Sequence, residues 1–367
     1  MQITAAVART GQHDFSLETL TIEAPRAEEV LVRIIGVGLC HTDIKVRESD
    51  GGWFPFPAVL GHEGSGIVEA VGADVTDIAP GDHVVLSFLT CGQCRPCTAG
   101  QPPHCTSMIP LNFGGKRPDG TSALSDANGP VSAHFFGQSS FASHALAHRR
   151  NVVKVSKDLP LELLGPLGCG IQTGAGAIIH SFGAKPGDSL LVMGAGAVGL
   201  SAVMAANIIG CTPIIVLEPH ESRRALAKDF GAHHVLDPAS APDIAAAVQA
   251  LVPGGMNYVL DTTGLPDLAA AGIAALAPHG TLGVLASSAA NASLTLSLNA
   301  LVSKGHHIIG IVEGDADPHI FIPEMINHYL EGRLPFDKMI KTYPLADINQ
   351  AIADSEAGLV TKAVLIP

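Results

Sequence analysis

The sequence predicts an α/β protein in two parts: a β-rich first lobe, then a doubly wound parallel sheet with helices on both faces. Three observations carry that expectation. Short Val/Ile-rich runs bounded by turn residues fill roughly the first 150 positions. From about residue 171 apolar strands alternate with alanine-rich helices, the pattern of a covered parallel sheet. GAGAVG stands between the first strand and the first helix of that alternation. At 367 residues the chain is long for one domain, so each part has room for its own core.

In the first part, EEVLVRIIGVGLC, EGSGIVEAVG and GDHVVLSF read as strands punctuated by Gly, Asp or Pro. In the second, the strands are SLLVM, PIIVLE, AHHVL, NYVLD, GTLGVL and HHIIGIV. Between them AVGLSAVMAANII, ESRRALAKDFGA and APDIAAAVQALV read as helices. Beyond about residue 312, FIPEMINHYLEGR has the pattern of an amphipathic helix and KAVLIP that of a closing strand. These textures place the parts at 1–170, 171–312 and 313–367.

Composition narrows the function. Hydrophobic residues are 47% and charged ones 15%, with 40 glycines, which describes a soluble fold rich in tight turns. A formal net charge of −13 with no Lys/Arg run argues against a nucleic-acid partner, because phosphate binding needs clustered cations. From Ser189 to Leu217 no residue is charged, a length that could span a bilayer. GAGAVG, Gly210 and Pro213 interrupt that stretch, so it reads as strand, turn, helix and strand. MQITAAVARTGQHDF has no apolar signal core, and seven cysteines are too few for a secreted disulfide scaffold. The expectation is a cytoplasmic protein with reduced thiols.

GAGAVG supplies Gly194, Gly196 and Gly199 at a strand-to-helix turn. There glycine permits the sharp turn, the approach of a pyrophosphate and tight helix–strand packing, while the helix N-terminus directs N–H groups at phosphates. Glu218 closes the next strand, where a carboxylate accepts hydrogen bonds from an adenosine ribose and repels a 2′-phosphate. NAD is therefore expected over NADP, with Arg223 nearby as a counterweight.

Six of the seven cysteines fall into two sets. Cys91, Cys94, Cys97 and Cys105 lie within CGQCRPCTAGQPPHC, turned by Gly92, Pro96 and Gly100. Four thiolates suit a closed tetrahedral zinc, which is structural; disulfides or a redox pair are the alternative, disfavoured in a reducing compartment. His104 is a possible substitute ligand. Cys40, His62 and Cys169 are scattered, and two thiolates with one imidazole suit a zinc that keeps a position open. Glu63 and Asp43 are the carboxylates such a site needs, one to orient the imidazole and the other to tune the ion. Cys211 reads as core.

GLCHTD, GHEGSGIVEAVG, the four-cysteine lobe, LGCGIQTGAG and GAGAVG stand in one order. That order resembles the zinc-dependent medium-chain alcohol dehydrogenases over essentially the whole chain. NFGGKRPDG, HFFGQSSFASHAL and GIVEGDADP are similar to the aryl-alcohol (benzyl-alcohol) dehydrogenase branch. The resemblance implies a GroES-like β-rich catalytic domain, a Rossmann domain, a C-terminal return to the catalytic domain and an active site in the cleft. It assigns Cys40, His62 and Cys169 to a catalytic zinc, with Glu63 beside it, and Cys91, Cys94, Cys97 and Cys105 to a structural zinc. Thr42 matches the hydroxyl that passes the substrate proton, Thr173 a residue near the nicotinamide, and His41 a pyrophosphate contact. Lys45 departs from those relatives in which a histidine ends the proton relay.

The implied reaction is oxidation of a primary aromatic alcohol to its aldehyde, with hydride passing to NAD and zinc acting as Lewis acid. Trp53, Phe54, Phe56, Phe88 and Phe113 are candidate stacking surfaces for such a substrate, though each also suits a core. Allylic terpene alcohols of the geraniol or perillyl type and longer aliphatic alcohols suit a similar apolar pocket. Glutathione-dependent formaldehyde dehydrogenases share the zinc and cofactor patterns. A zinc-binding nucleic-acid module is opposed by the acidic balance. A homodimer or homotetramer is expected from the exposed edge of a six-stranded cofactor sheet.

Overall fold

The computed structural model describes residues 1–289 and 291–367. They divide into two compact units, one of residues 1–169, 317–325 and 337–367, the other of 170–316 and 326–336. The C-terminal portion therefore does not group as one block from residue 313: 313–316 and 326–336 pack with the second unit.

Among the described residues, the first unit holds two sheets. The smaller contains Gln2–Ala8 and Ser16–Ile22, paired antiparallel. The larger is built on Glu29–Gly38, whose Val/Ile pattern is mostly buried and whose two edges are both paired. It pairs antiparallel with Gly64–Val71, with His144–His148 and with the closing strand Lys362–Ile366. His83–Leu86 pairs with the far side of Gly64–Val71. One core of Val, Ile, Leu, Ala and Phe runs through both sheets.

Register decides what this sheet displays. Val37 lies opposite Gly64 and Leu365 opposite Val37, so three strands from distant parts of the chain end at one place. Cys40 follows Gly38, His62 and Glu63 precede Gly64, and Lys362 opens the closing strand. Ser87, just past His83–Leu86, donates to the carbonyl of Gly168 at 2.6 Å and brings Cys169 to the same end.

The second unit is a parallel sheet of the six expected strands among the described residues. Its order is His234–Leu236, Ile214–Leu217, Leu190–Met193, Met256–Asp261, Leu276–Val284 and His307–Gly310. The chain runs outward from Leu190–Met193 in one direction and then reverses, the doubly wound Rossmann order. Helices Ala197–Ile209, Glu221–Asp229 and Ile244–Leu251 occupy the three stretches read as helical. Asp243 caps the last of these by accepting from the Ala246 N–H at 2.9 Å. Gly170–Gly176 is also helical and continues as a π-helical turn over Ala177–Ser181, an element that its glycines hide from propensity.

Candidate metal centres and cofactor turn

Cys40, His62, Glu63 and Cys169 each bring one donor atom within 4.8 Å of the others. Asp43 orders this set. Its Oδ2 accepts from the Cys40 N–H at 3.0 Å, and its Oδ1 accepts from Gly61 N–H at 3.0 Å and lies 2.9 Å from His62 Nδ1. With Nδ1 so held, the Nε2 of His62 is buried and has no hydrogen-bond partner. A buried imidazole nitrogen left bare beside two sulfurs fits a metal ligand. The contact with Cys169 outweighs burial and holds the Cys40 thiol well below its usual range, towards the thiolate a metal needs.

Glu63 is the fourth member, and Lys362 answers it. Lys362 Nζ lies 2.5 Å from Glu63 Oε2 and donates to the Leu39 carbonyl at 3.0 Å. Burial works to strip the proton from Lys362, yet Glu63 and then Cys40 prevail and keep the ammonium above its ordinary range. Gly38 makes room for this carboxylate: a Cβ there would stand 1.8 Å from Glu63 Oε2. Sequence reasoning missed Lys362, although a lone charge in the apolar run KAVLIP demands a buried partner.

Around His62 stands an aromatic wall. Phe136 lies flat on the imidazole, centroids 4.3 Å apart and planes 22° apart, and Phe135 meets it edge-on at 5.4 Å. Phe113 sits edge-on to both phenylalanines, and Phe54 to Phe135. Gln138 ties this segment down by donating to the His62 carbonyl at 2.9 Å and accepting from Gly64 N–H at 3.1 Å. Phe135 and Phe136 were not singled out in the sequence, where HFFGQSS was read only for its branch resemblance. Trp53 is 46% exposed, while Phe88 shares one buried core with Phe54, Phe135 and Phe136. Thr42 Oγ1 lies 3.8 Å from Cys40 Sγ, and His41 is exposed at the start of helix His41–Glu48, which also carries Lys45.

The lobe gathers Cys91, Cys94, Cys97 and Cys105, again within 4.8 Å. Cys94 Sγ is 3.4 Å from Cys97 Sγ and 3.9 Å from Cys105 Sγ. These separations exclude a disulfide, whose sulfurs lie about 2.05 Å apart. They fit a tetrahedron with metal–sulfur bonds of about 2.3 Å, which spaces its sulfurs by about 3.8 Å. Backbone N–H groups of Cys91, Cys94 and Ser107 point at the sulfurs at 3.3–3.4 Å. The backbone N–H groups of Cys97 and Thr106 pull the Cys94 thiol down to about 6, while burial pushes Cys97 up to about 12. A bound dication resolves that competition for protons. His104 is adjacent but outside the set.

In the second unit, Gly194 has φ of 95°, and a Cβ on Gly199 would lie 1.9 Å from the Gly194 carbonyl oxygen, so both positions demand glycine. Gly196 caps the following helix. Glu218, almost fully buried, accepts from Ala195 N–H at 2.7 Å and His220 N–H at 2.9 Å. The carboxylate expected for a ribose thus also braces the glycine turn. Arg223 is half-buried on the next helix, while Arg224, overlooked in the sequence, donates to the carbonyls of Glu218 and Pro219 at 2.8 and 2.6 Å. Thr173 is buried in the Gly170–Gly176 helix.

Residues 26–157 match the family model of the alcohol dehydrogenase GroES-like domain, and residues 197–330 that of the zinc-binding dehydrogenases. The chain is a zinc-dependent medium-chain alcohol dehydrogenase. This dehydrogenase is 50% identical to a geraniol dehydrogenase of Castellaniella defragrans over 99% of its own length and 97% of that protein. A solved structure of an alcohol dehydrogenase zinc-binding domain protein from Burkholderia ambifaria shares 50% identity at a TM-score of 0.97, covering 100% and 99% of the two chains. The benzyl alcohol dehydrogenase of Acinetobacter calcoaceticus follows at 44% identity and a TM-score of 0.95, with the same coverage. A GroES-like domain plus a Rossmann domain is therefore the fold of this enzyme, an oxidoreductase acting on CH–OH donors with zinc and a nicotinamide cofactor.

Proposed function

We propose that this dehydrogenase oxidises primary alcohols bearing a flat unsaturated group next to the carbinol carbon, benzyl-type first, to aldehydes with NAD. The observation that carries the reading is the stack of Phe136 on His62, backed by Phe135 and Phe113. Aromatic rings offer a flat unsaturated substituent stacked or edge-on contacts, which a saturated chain does not make. The likeness to a benzyl alcohol dehydrogenase supports the benzyl form, and that to a geraniol dehydrogenase supports the allylic one.

When bound, zinc supplies Lewis-acid polarisation of the alcohol oxygen and the nicotinamide accepts the hydride. In this reading Cys40, His62 and Cys169 hold the catalytic ion, and Cys91, Cys94, Cys97 and Cys105 the structural one. Asp43 fixes the His62 tautomer so that Nε2 presents its lone pair. Thr42 Oγ1 would relay the hydroxyl proton, accepting it while handing its own towards the cofactor ribose, so one proton and one hydride leave for each aldehyde formed. Lys362 offsets the carboxylate charge of Glu63 beside the donor set. Gly194, Gly196 and Gly199 cradle the pyrophosphate, His41 contacts it, Thr173 borders the nicotinamide, and Glu218 and Arg223 set the preference for NAD.

The test is relative kcat/KM for benzyl alcohol, cinnamyl alcohol, geraniol, hexanol and S-hydroxymethylglutathione with NAD and with NADP. Benzyl alcohol with NAD should lead; a lead for hexanol or for the glutathione adduct would reject the reading. C40A and H62A should fold and lose turnover. No described helix is long and apolar enough to cross a membrane. The Cys94 sulfur stands 3.4 and 3.9 Å from those of Cys97 and Cys105, too far for a disulfide, which supports a reducing cytoplasmic home. Leu298 and Val302, 74% and 82% exposed on the helix before the edge strand His307–Gly310, support a homo-oligomer, which sedimentation checks.

A further inference from the structure

Three consecutive residues of the second unit, Glu313, Gly314 and Asp315, have φ of 51°, 67° and 51°. Glycine takes this left-handed region freely and Asp occasionally, whereas Glu resists it. Non-glycine residues stay there only where their surroundings over-determine the backbone, and they gather at working sites. At Glu313 a glycine would be strain-free, so the side chain must be retained for something that it holds.

What it holds is the helix Gly170–Gly176. Gln172 Nε2 donates to Glu313 Oε2 at 2.9 Å, with both side chains buried. Ser181 Oγ, at the end of the π-helical turn, donates to Asp315 Oδ2 at 2.6 Å. Between these two ties Gly314 is pressed onto the helix. A Cβ at Gly314 would lie 2.4 Å from the Gln172 carbonyl oxygen and 3.1 Å from that of Thr173. A Cβ at Gly176 would lie 2.5 Å from the Gly314 carbonyl oxygen. Thr173 therefore sits inside a clamp, with Gln172 on one side and the Gly176–Gly314 apposition on the other.

We propose that Glu313 is a positioning residue for the cofactor: its hydrogen bond to Gln172 locks the left-handed turn onto the helix that carries Thr173 and so sets affinity for the nicotinamide end of NAD. This rests on the reading of Thr173 as a neighbour of the nicotinamide. Thr173 is 9% exposed and its carbonyl borders Gly314, so its placement is tied to the turn. The acid acts through the helix and touches no reacting atom.

The zinc-loaded, full-length enzyme is compared with E313G, E313Q and T173V by fluorescence titration with NADH and competition with ADP-ribose, which lacks the nicotinamide. Melting temperature is recorded alongside. E313G relieves the backbone and removes the bond; it should stay folded yet bind NADH about tenfold more weakly, the size of one lost buried charged hydrogen bond. ADP-ribose should bind both equally, and E313Q, which still accepts from Gln172, should restore NADH affinity. E313G binding NADH like the parent, or losing NADH and ADP-ribose equally, overturns the proposal. T173V binding NADH like the parent instead overturns the reading of Thr173, and the proposal with it. Should E313G fail to fold, E313D, one methylene short of Gln172, is held to the same outcomes.

Discussion

Lys362 Nζ sits 2.5 Å from Glu63 Oε2, and neither side chain is more than 3% exposed. Two groups from opposite ends of the chain, one before the strand Gly64–Val71 and one opening Lys362–Ile366, form a sealed ion pair beside the candidate catalytic site. Removing one partner of such a pair strands the other charge. We expect K362M to destabilise the enzyme by about 3–5 kcal/mol. K362M/E63Q should recover most of that loss, because neither charge is left behind. Urea unfolding of the four corners of the cycle measures the coupling, and additive losses would show that the pair does not act as a unit.

Asp43 spends one carboxylate on three donors: Cys40 N–H, Gly61 N–H and His62 Nδ1. In D43N one oxygen becomes an amide donor facing donors. Zinc at the Cys40/His62/Cys169 set should be held roughly 10–100-fold more weakly. Chelator competition with elemental analysis reads this directly, and an unchanged zinc affinity would remove Asp43 from its assigned role.

The lobe and the Cys40 set share no residue, so their ions should be lost separately. C97S should reduce zinc from about two to about one per chain and lower the melting temperature, consistent with a closed site that contributes folding energy. The zinc that remains should still be strippable only with loss of alcohol oxidation. Retention of both ions by C97S would contradict the assignment.

His134 carries a pH prediction away from either metal set. Burial first, then Arg117, lowers its imidazole to about 4, against an opposing pull from Glu29; Arg26 lowers it and Glu23 raises it more weakly. Its ordinary value is 6.5, so between 6.5 and 4 the unfolded chain binds the extra proton. The stabilising contribution is complete above pH 6.5 and is lost as the pH falls towards 4, at about 1.4 kcal/mol per pH unit. H134N keeps a residue that tolerates the left-handed backbone at φ of 64° and has no charge to acquire. Its stability should fall less steeply than the parent's across that window in denaturant melts; parallel curves would assign the slope elsewhere, to Glu29 and Arg117 among others.

Much of the site was readable before the fold because its chemistry resides in residue identity. Cys91, Cys94, Cys97 and Cys105 lie so close in sequence that the chain has few ways to separate them. Gly194 and Gly199 announced a turn because other side chains do not fit there. The strands of the second unit were visible as apolar runs because a parallel sheet buries both faces. The helix Gly170–Gly176 was not visible, since its glycines are there for close packing against Val198, Ser201 and Gly314 and carry no helical preference.

Local sequence determined the ligand types, the glycine turn, the alternation of strands and helices, and the acidic balance that sets nucleic acid aside. Tertiary structure alone decided which distant groups meet: Lys362 with Glu63, Phe136 with His62, Asp43 with both Cys40 and His62, and Glu313 with Gln172. The reason is physical. Strand register and loop closure fix contacts across tens to hundreds of residues, and a side chain's spacing along the chain holds no record of the partner that register brings to it.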